Sequence, residues 1–144
     1  MKGLKNTLWV CAVVFLLSFV FVPLPWRVFT DWFNQYGVQI HAAEPWAVFC
    51  ARLFLATYGM IGVFFVILAL NPLKYGEMLL LAAYGLLLLG VFVLIGSIHY
   101  TFPNVRPNAL PTITILTIVK VIFYFTLGTL ILLFRKEAIQ VNNA

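Results

Sequence analysis

The residues most able to do chemistry in this chain are cations that lie inside apolar sequence. Residues 114–128 read TILTIVKVIFYFTLG, with Lys120 near the middle, and Arg52 lies within the apolar stretch 45–70. A charge at the centre of a membrane helix costs at least about 2.5 kcal/mol, so it needs a partner, a wet cavity or a route to the surface. Lys120 and Arg52 therefore mark the place where a functional site is expected.

Carboxylates that could neutralise these cations are scarce. No Asp or Glu lies inside an apolar stretch, and the nearest candidate for Arg52 is Glu44, just before the same stretch. A long Arg52 side chain can reach back along its own helix toward Glu44. Lys120 has no evident carboxylate, so it must snorkel, bond to carbonyls and hydroxyls, lose its proton, or hold an anion from outside the chain.

Polar and small residues recur at helical spacing around both cations. At 100° per residue, one sector of about 120° on the last apolar stretch collects Thr114, Thr117, Lys120, Tyr124 and Gly128. Comparable stripes on the two preceding stretches collect Arg52, Ala56, Gly59 and Gly62, and then Gly85, Leu89, Phe92, Gly96 and His99. Small residues let membrane helices approach closely, so these stripes predict the contact faces, with Gly59 facing the third or fourth helix.

Two interpretations of these residues remain open. In the first, Arg52, Lys120 and His99 line a cavity open to the outer leaflet, where Tyr58 and Tyr124 donate hydrogen bonds to an anionic head group or small acid. The chain would then bind or transport a small anionic or lipid ligand. In the second, Arg52 pairs with Glu44 while Lys120 snorkels, and the chain is a non-catalytic accessory or assembly subunit. A polar-lined cavity that reaches Lys120 would favour the first interpretation.

The histidines offer weaker sites. His41 and His99 are both expected near the outer surface, and a metal would need a third ligand from Asp31 or Glu44. Haem would require the two imidazoles to face each other across a slot. We expect ordinary interfacial hydrogen bonds instead, and therefore no metal and no cofactor.

Cysteine usage and the missing catalytic motifs argue against an enzyme. Cys11 and Cys50 are predicted to differ in depth by roughly 15 Å, too far for a disulfide, and there is no CxxC. Paired membrane carboxylates, a nucleophile beside a histidine and a glycine-rich phosphate loop are also absent from the sequence. The chain is expected to be non-enzymatic.

The elements that position these residues follow from composition. Of the 144 residues, 64% are hydrophobic and only 9% are charged, with a mean hydropathy of +1.06. A soluble domain needs about a quarter of its residues charged, so this is an integral membrane protein. The net charge of +5 reflects basic residues at the ends of apolar runs, where they face lipid head groups, and nucleic-acid binding is not expected.

Four apolar stretches are long enough to cross a bilayer as helices, at about 8–24, 45–70, 78–99 and 110–134. Segments rich in proline, asparagine and glycine separate them, and the short NPLKYGE link predicts an antiparallel hairpin of the second and third spans. The fold class is therefore all-α, a single-domain integral membrane four-helix bundle.

Basic residues set the orientation. With the N-terminus inside, the cytoplasmic side holds Lys2, Lys5, Lys74, Arg135 and Lys136, whereas the outer side holds only Arg27 and Arg106. Both termini are then cytoplasmic. The first outer loop has aromatic residues at helical spacing, which predicts an amphipathic interfacial helix within residues 26–37.

The stretch CARLFLATYGMIGVFFVILALNPLKYGEMLLLAAYGLLLLG, residues 50–90, resembles the middle of small four-helix bacterial inner-membrane proteins of the DoxX-like and domain-of-unknown-function type. Many relatives carry a further arginine where this chain has GSIHY. The resemblance implies a four-helix bundle in a bacterial cytoplasmic membrane and transfers no activity. The expected partners are the lipid bilayer and either other membrane subunits or further copies of the chain.

Overall fold

The computed structural model describes residues 2–35, 45–101, 107 and 110–142, and these residues are helical apart from short turns. The helices are α1 (Lys2–Phe21), α2 (Trp26–Gln35), α3 (Pro45–Leu70), α4 (Gly76–Gly96) and α5 (Leu110–Asn142), and α4 runs on into a π-helical turn, Ser97–Thr101. Within these ranges α1, α3, α4 and α5 are long and apolar enough to cross a membrane. The protein is an all-α four-helix membrane bundle.

Helix boundaries follow local sequence. The first helix stops at Phe21 because Pro23 and Pro25 cannot donate the backbone hydrogen bonds that a continuing helix needs. It begins at Lys2, six residues before the expected start of the apolar span. The last helix continues to Asn142, well beyond the apolar run, since RKEAIQVN contains no helix breaker.

The four long helices pack as two pairs. Helix α1 packs along α3, helix α4 packs along α5, and the pairs meet mainly where α1 contacts α5. Helices α3 and α4 follow each other through a short turn, yet they touch only marginally. The predicted hairpin thus does not supply the main packing partner of either helix, because α1 lies against α3 and α5 lies against α4.

Glycines allow the closest approaches within each pair. A Cβ atom on Gly62 would lie 2.6 Å from the backbone nitrogen of Leu16 in α1, and one on Gly128 would lie 3.0 Å from the carbonyl oxygen of Ala83 in α4. Gly59 faces the ring of Phe19, also in α1. The expectation that Gly59 faces the third or fourth helix was wrong, because α1 occupies that face of α3.

The centre of the bundle contains a cluster of aromatic rings from three helices. The Phe15 ring of α1 stacks on Tyr58 and Phe65 of α3, each at 5.6 Å between centroids, and on Tyr124 of α5 at 6.2 Å. We call these four residues the aromatic layer. Phe15 is only 2% exposed. The layer ties the two helix pairs together.

One end of the bundle, here called the terminal side, collects the two chain ends and the α3–α4 turn. Lys2 and Lys5 share a cavity with residues 70–74, and Gly3 lies against the ring of Phe134. Arg135 bonds to the start of α4. The opposite end, the loop side, carries α2 and the first residues of α3 and α5.

Of the stripe predicted on the third span, Leu89 packs against the core, but most of the stripe forms no contact face. Gly85 and Gly96 have no side-chain neighbour within 4 Å at the position of an added Cβ, and Phe92 is 66% exposed. The buried face of α4 is instead formed by Leu79, Ala82, Ala83, Leu86 and Gly90. Alanine side chains are small enough for α5 to approach, so glycine spacing alone selected the wrong face.

Candidate functional site

The five residues predicted to bind a ligand do not share one environment. Arg52, Lys120 and His99 are exposed, Tyr58 is half-buried and Tyr124 is buried at 9% exposure. The structure brings Tyr58 and Tyr124 together within the aromatic layer, where both rings stack on Phe15. The cations lie outside this contact.

The tyrosine contact gives a reference level for the two cations. Helices α3 and α5 both run from the loop side to the terminal side, so residues that precede Tyr58 or Tyr124 lie nearer the loop side. At 1.5 Å per residue, Arg52 lies about 9 Å nearer the loop side than Tyr58, and Lys120 lies about 6 Å nearer the loop side than Tyr124. Both cations therefore lie in the half of their helices that is nearer the loop side.

Lys120 is exposed although it belongs to the buried sector of α5. Tyr124 and Ile131 point within about 40° of Lys120 on the same helix, and they are 9% and 0% exposed. Thr117 lies one turn nearer the loop side and is only 7% exposed, so α4 still packs on α5 at this level and Lys120 lies beside the contact face. Of the predicted stripe, Thr117, Tyr124 and Gly128 are buried and Lys120 is not.

The surroundings of Lys120 are apolar. Leu116 is 50% exposed and Val119 is 58% exposed, and both flank the lysine on α5. Among the described residues, Lys120 forms no hydrogen bond and no ion pair. A cation thus interrupts an apolar, outward-facing surface within a membrane span.

Arg52 borders a cavity of about 450 Å³ on the loop side. Helix α2 and the first turns of α3 form its wall, which consists of Trp26, Phe29, Cys50, Ala51, Arg52, Phe54 and Leu55. Within the described part of the chain, Arg52 forms no ion pair. Lys120 is not among the residues that line this cavity, so the expected cavity shared by Arg52 and Lys120 is not the one formed here.

Aromatic contacts hold the α2 wall of this cavity in place. The Trp26 and Phe29 rings lie 5.6 Å apart, and Phe29 in turn lies 6.3 Å from Phe21 at the end of α1. On the α3 wall, Phe54 contacts Tyr58 at 5.0 Å between centroids. The indole Nε1 of Trp26 is buried and finds no hydrogen-bond acceptor among the residues that the structure describes.

The remaining sequence candidates contribute less. Glu44 and His41 lie outside the described residues, so the predicted pairing of Glu44 with Arg52 stays a prediction. Cys11 is buried and Cys50 is exposed, and both are free thiols, as expected. No group of three metal-ligating side chains occurs among the residues that the structure describes.

Two polar contacts were not predicted from the sequence. Arg135 donates to the carbonyl oxygen of Gly76 at 2.8 Å and to Glu77 at 3.1 Å, which fastens α5 to the start of α4. The Ser97 and Thr117 hydroxyls lie 3.4 Å apart between the same helices. The Arg135–Glu77 pair could have been predicted, because the predicted topology places both residues on the same side of the membrane.

Comparison of the chain with protein-family models, curated proteins and solved structures finds no match. The candidate sites therefore rest on the residues and geometry described above.

Proposed function

We propose that this protein is a non-catalytic accessory subunit of a membrane complex, and that α5 binds a transmembrane helix of another subunit through Lys120. The partner helix carries a carboxylate that pairs with the lysine. The observation that supports this proposal is the exposed position of Lys120 on an apolar helix face, beside Leu116 and Val119.

Depth makes a partner more favourable than lipid for this lysine. Lys120 lies ten residues, or about 15 Å, from the start of α5 at Leu110. Half the hydrocarbon thickness of a bilayer is also about 15 Å, so a lysine facing lipid there bears a desolvation cost of several kcal/mol. A carboxylate on a neighbouring helix would remove most of this cost, while apolar contacts bury Leu116 and Val119.

The carboxylate must come from a different protein. The chain contains four acidic residues, Asp31, Glu44, Glu77 and Glu137, and all of them lie outside the apolar spans. Glu77 is already paired with Arg135 on the terminal side. A second copy of the chain would therefore bring no acid to the depth of Lys120, which favours a hetero-complex over the homo-oligomer.

We place the protein in a bacterial cytoplasmic membrane with both termini in the cytoplasm. The resemblance to DoxX-like proteins supports the membrane. The distribution of cations supports the orientation, because Lys2, Lys5, Lys74, Arg135 and Lys136 all belong to the terminal side while Arg27 belongs to α2 on the loop side.

The test compares the parent with Lys120→Met, using Lys136→Met as a matched control on the same helix. A photo-crosslinking residue at position 116 should capture one membrane protein from native membranes in the parent and the control, but not in Lys120→Met. A crosslinker at Leu81, 65% exposed on α4, controls for random collision. Exchanging the two charges, with Lys120→Asp in this chain and a lysine in place of the partner's acidic residue, should restore capture.

Three outcomes would overturn the proposal. If Lys120→Met captures the same protein as the parent, the lysine does not bind the partner. If neither protein captures a partner and Lys120→Met is as stable as the parent or more stable, the lysine snorkels. If an anionic lipid is bound to the parent and absent from Lys120→Met, a lipid head group neutralises the lysine instead.

A further inference from the structure

We propose that the loop-side cavity between α2 and α3 binds an amphiphile that consists of an acyl chain and one anionic head group. The head group lies on the guanidinium of Arg52, and the chain lies along Trp26, Phe29 and Leu55. This site is separate from the Lys120 surface and does not depend on the accessory function.

The cavity has the size and wall chemistry of a lipid site. Its volume of about 450 Å³ lies in the range of small-molecule sites in proteins. Apart from Arg52, its wall is made of aromatic, aliphatic and thiol side chains. A long apolar chain gains from contact with such a wall, whereas a small inorganic anion would find a single charged group there.

Arg52 supplies the specificity for a negative charge. Its side chain is exposed at the cavity, and no carboxylate among the described residues neutralises it. The guanidinium stays charged and presents a planar set of donors that matches carboxylate and phosphate groups. An acyl chain without a negative head group would leave this donor set unsatisfied.

Trp26 provides an independent sign of an unfilled interaction. Its Nε1 atom is buried and has no acceptor within the described part of the chain, although buried tryptophan N–H groups usually find one. Trp26 and Arg52 both line the cavity. After a small rotation of the indole ring, an oxygen atom of a head group held by Arg52 would supply the missing acceptor.

The source of the head group is a matter for experiment, because a free fatty acid and an anionic phospholipid share this chemistry. Both carry an acyl chain and an oxygen-rich anion. Oleate and phosphatidylglycerol therefore serve as two arms of the test. Methyl oleate has the chain without the charge, and inorganic phosphate has the charge without the chain.

The protein contains its own reporter for occupancy. Cys50 is exposed in the cavity wall, whereas Cys11 is buried in the bundle. In a Cys11→Ala protein, a maleimide reports on Cys50 alone. Purified protein in a mild detergent should react several-fold more slowly with oleate or phosphatidylglycerol present, and at an unchanged rate with methyl oleate or phosphate.

Two variants link this protection to the proposed site. Arg52→Gln should need about tenfold more anionic amphiphile for equal protection, since it loses a charge-assisted hydrogen bond. Leu55→Trp should weaken protection by narrowing the cavity. Arg27→Gln, on the exposed side of α2, is the matched control and should behave like the parent. Arg52→Lys keeps the charge and serves if Arg52→Gln does not fold.

The relative effects of the four compounds decide between the alternatives. Equal protection by methyl oleate and oleate would refute the claim that the ligand needs an anionic head group. Protection by inorganic phosphate without any amphiphile would refute the claim that the ligand needs an acyl chain. Protection that is absent in the parent, or equal in the parent and Arg52→Gln, would overturn the site itself. Protection by only one of oleate and phosphatidylglycerol would support the site and identify the source.

Discussion

The closest contact between α1 and α3 gives the sharpest prediction about stability. In Gly62→Ala, the new Cβ would lie 2.6 Å from the backbone nitrogen of Leu16 and 3.0 Å from the carbonyl carbon of Phe15. Ordinary contacts of this kind are 3.4–4 Å. The two helices must therefore separate by about 1 Å, because backbone atoms cannot rotate away as a side chain does.

The expected magnitude combines two opposing terms. Overpacking of this kind costs about 1–3 kcal/mol, while replacing a helical glycine by alanine returns about 0.5–1 kcal/mol of backbone entropy. The net result for Gly62→Ala is a loss of about 0.5–2 kcal/mol. Gly85→Ala has only the favourable term, since nothing lies within 4 Å of its Cβ position. The two variants should differ by about 1–3 kcal/mol.

Thermal unfolding in one mild detergent measures this difference. Gly85→Ala should melt at or above the parent temperature, and Gly62→Ala should melt below it. Gly59→Ala should fall between them, because its Cβ meets a phenylalanine ring, which has more freedom to move than a backbone. If Gly62→Ala were as stable as Gly85→Ala, the α1–α3 packing described here would be incorrect.

Three further predictions concern the core, the terminal side and the orientation. Phe15→Ala should cost about 3–5 kcal/mol in thermal unfolding because its ring contacts two other helices, and a loss under about 1 kcal/mol would contradict the aromatic layer. Glu77→Gln should lower the stability by under about 1 kcal/mol, since Glu77 is 88% exposed. Arg135→Ala should lower it more, because that variant also loses the hydrogen bond to the carbonyl oxygen of Gly76. Equal effects of the two variants would contradict this prediction. A cysteine introduced at position 140 should be labelled only from the cytoplasm and one at position 104 only from outside, and the reverse pattern would invert the orientation.

The sequence was a reliable guide to the spans and to α2. Apolar length alone places a helix across the membrane, because lipid offers no water to an open backbone. Aromatic spacing likewise anticipated α2, which the structure shows as Trp26–Gln35. Both signals are local, so neighbouring helices do not change them.

Contact faces were harder to predict because they depend on neighbours. Angular position correctly grouped Thr117, Tyr124 and Gly128, yet it also included Lys120, which is exposed. A helical wheel gives each residue one direction and assumes that the same neighbour runs along the whole helix. On α5 the buried face includes Thr117 and leaves Lys120 exposed one turn away, and a helical wheel does not show how wide the face covered by α4 is.

The separation of the two cations can be tested directly. One of the two interpretations of the sequence placed Arg52 and Lys120 around one ligand. In the structure Arg52 lies at a cavity lined by α2 and α3, and Lys120 lies on the outward face of α5. Lys120→Met should therefore abolish partner capture and leave the protection of Cys50 by oleate unchanged. Arg52→Gln should do the opposite. If either variant impaired both measurements while keeping its melting temperature, the cations would act on one shared ligand, and the two sites proposed here would have to be replaced by one.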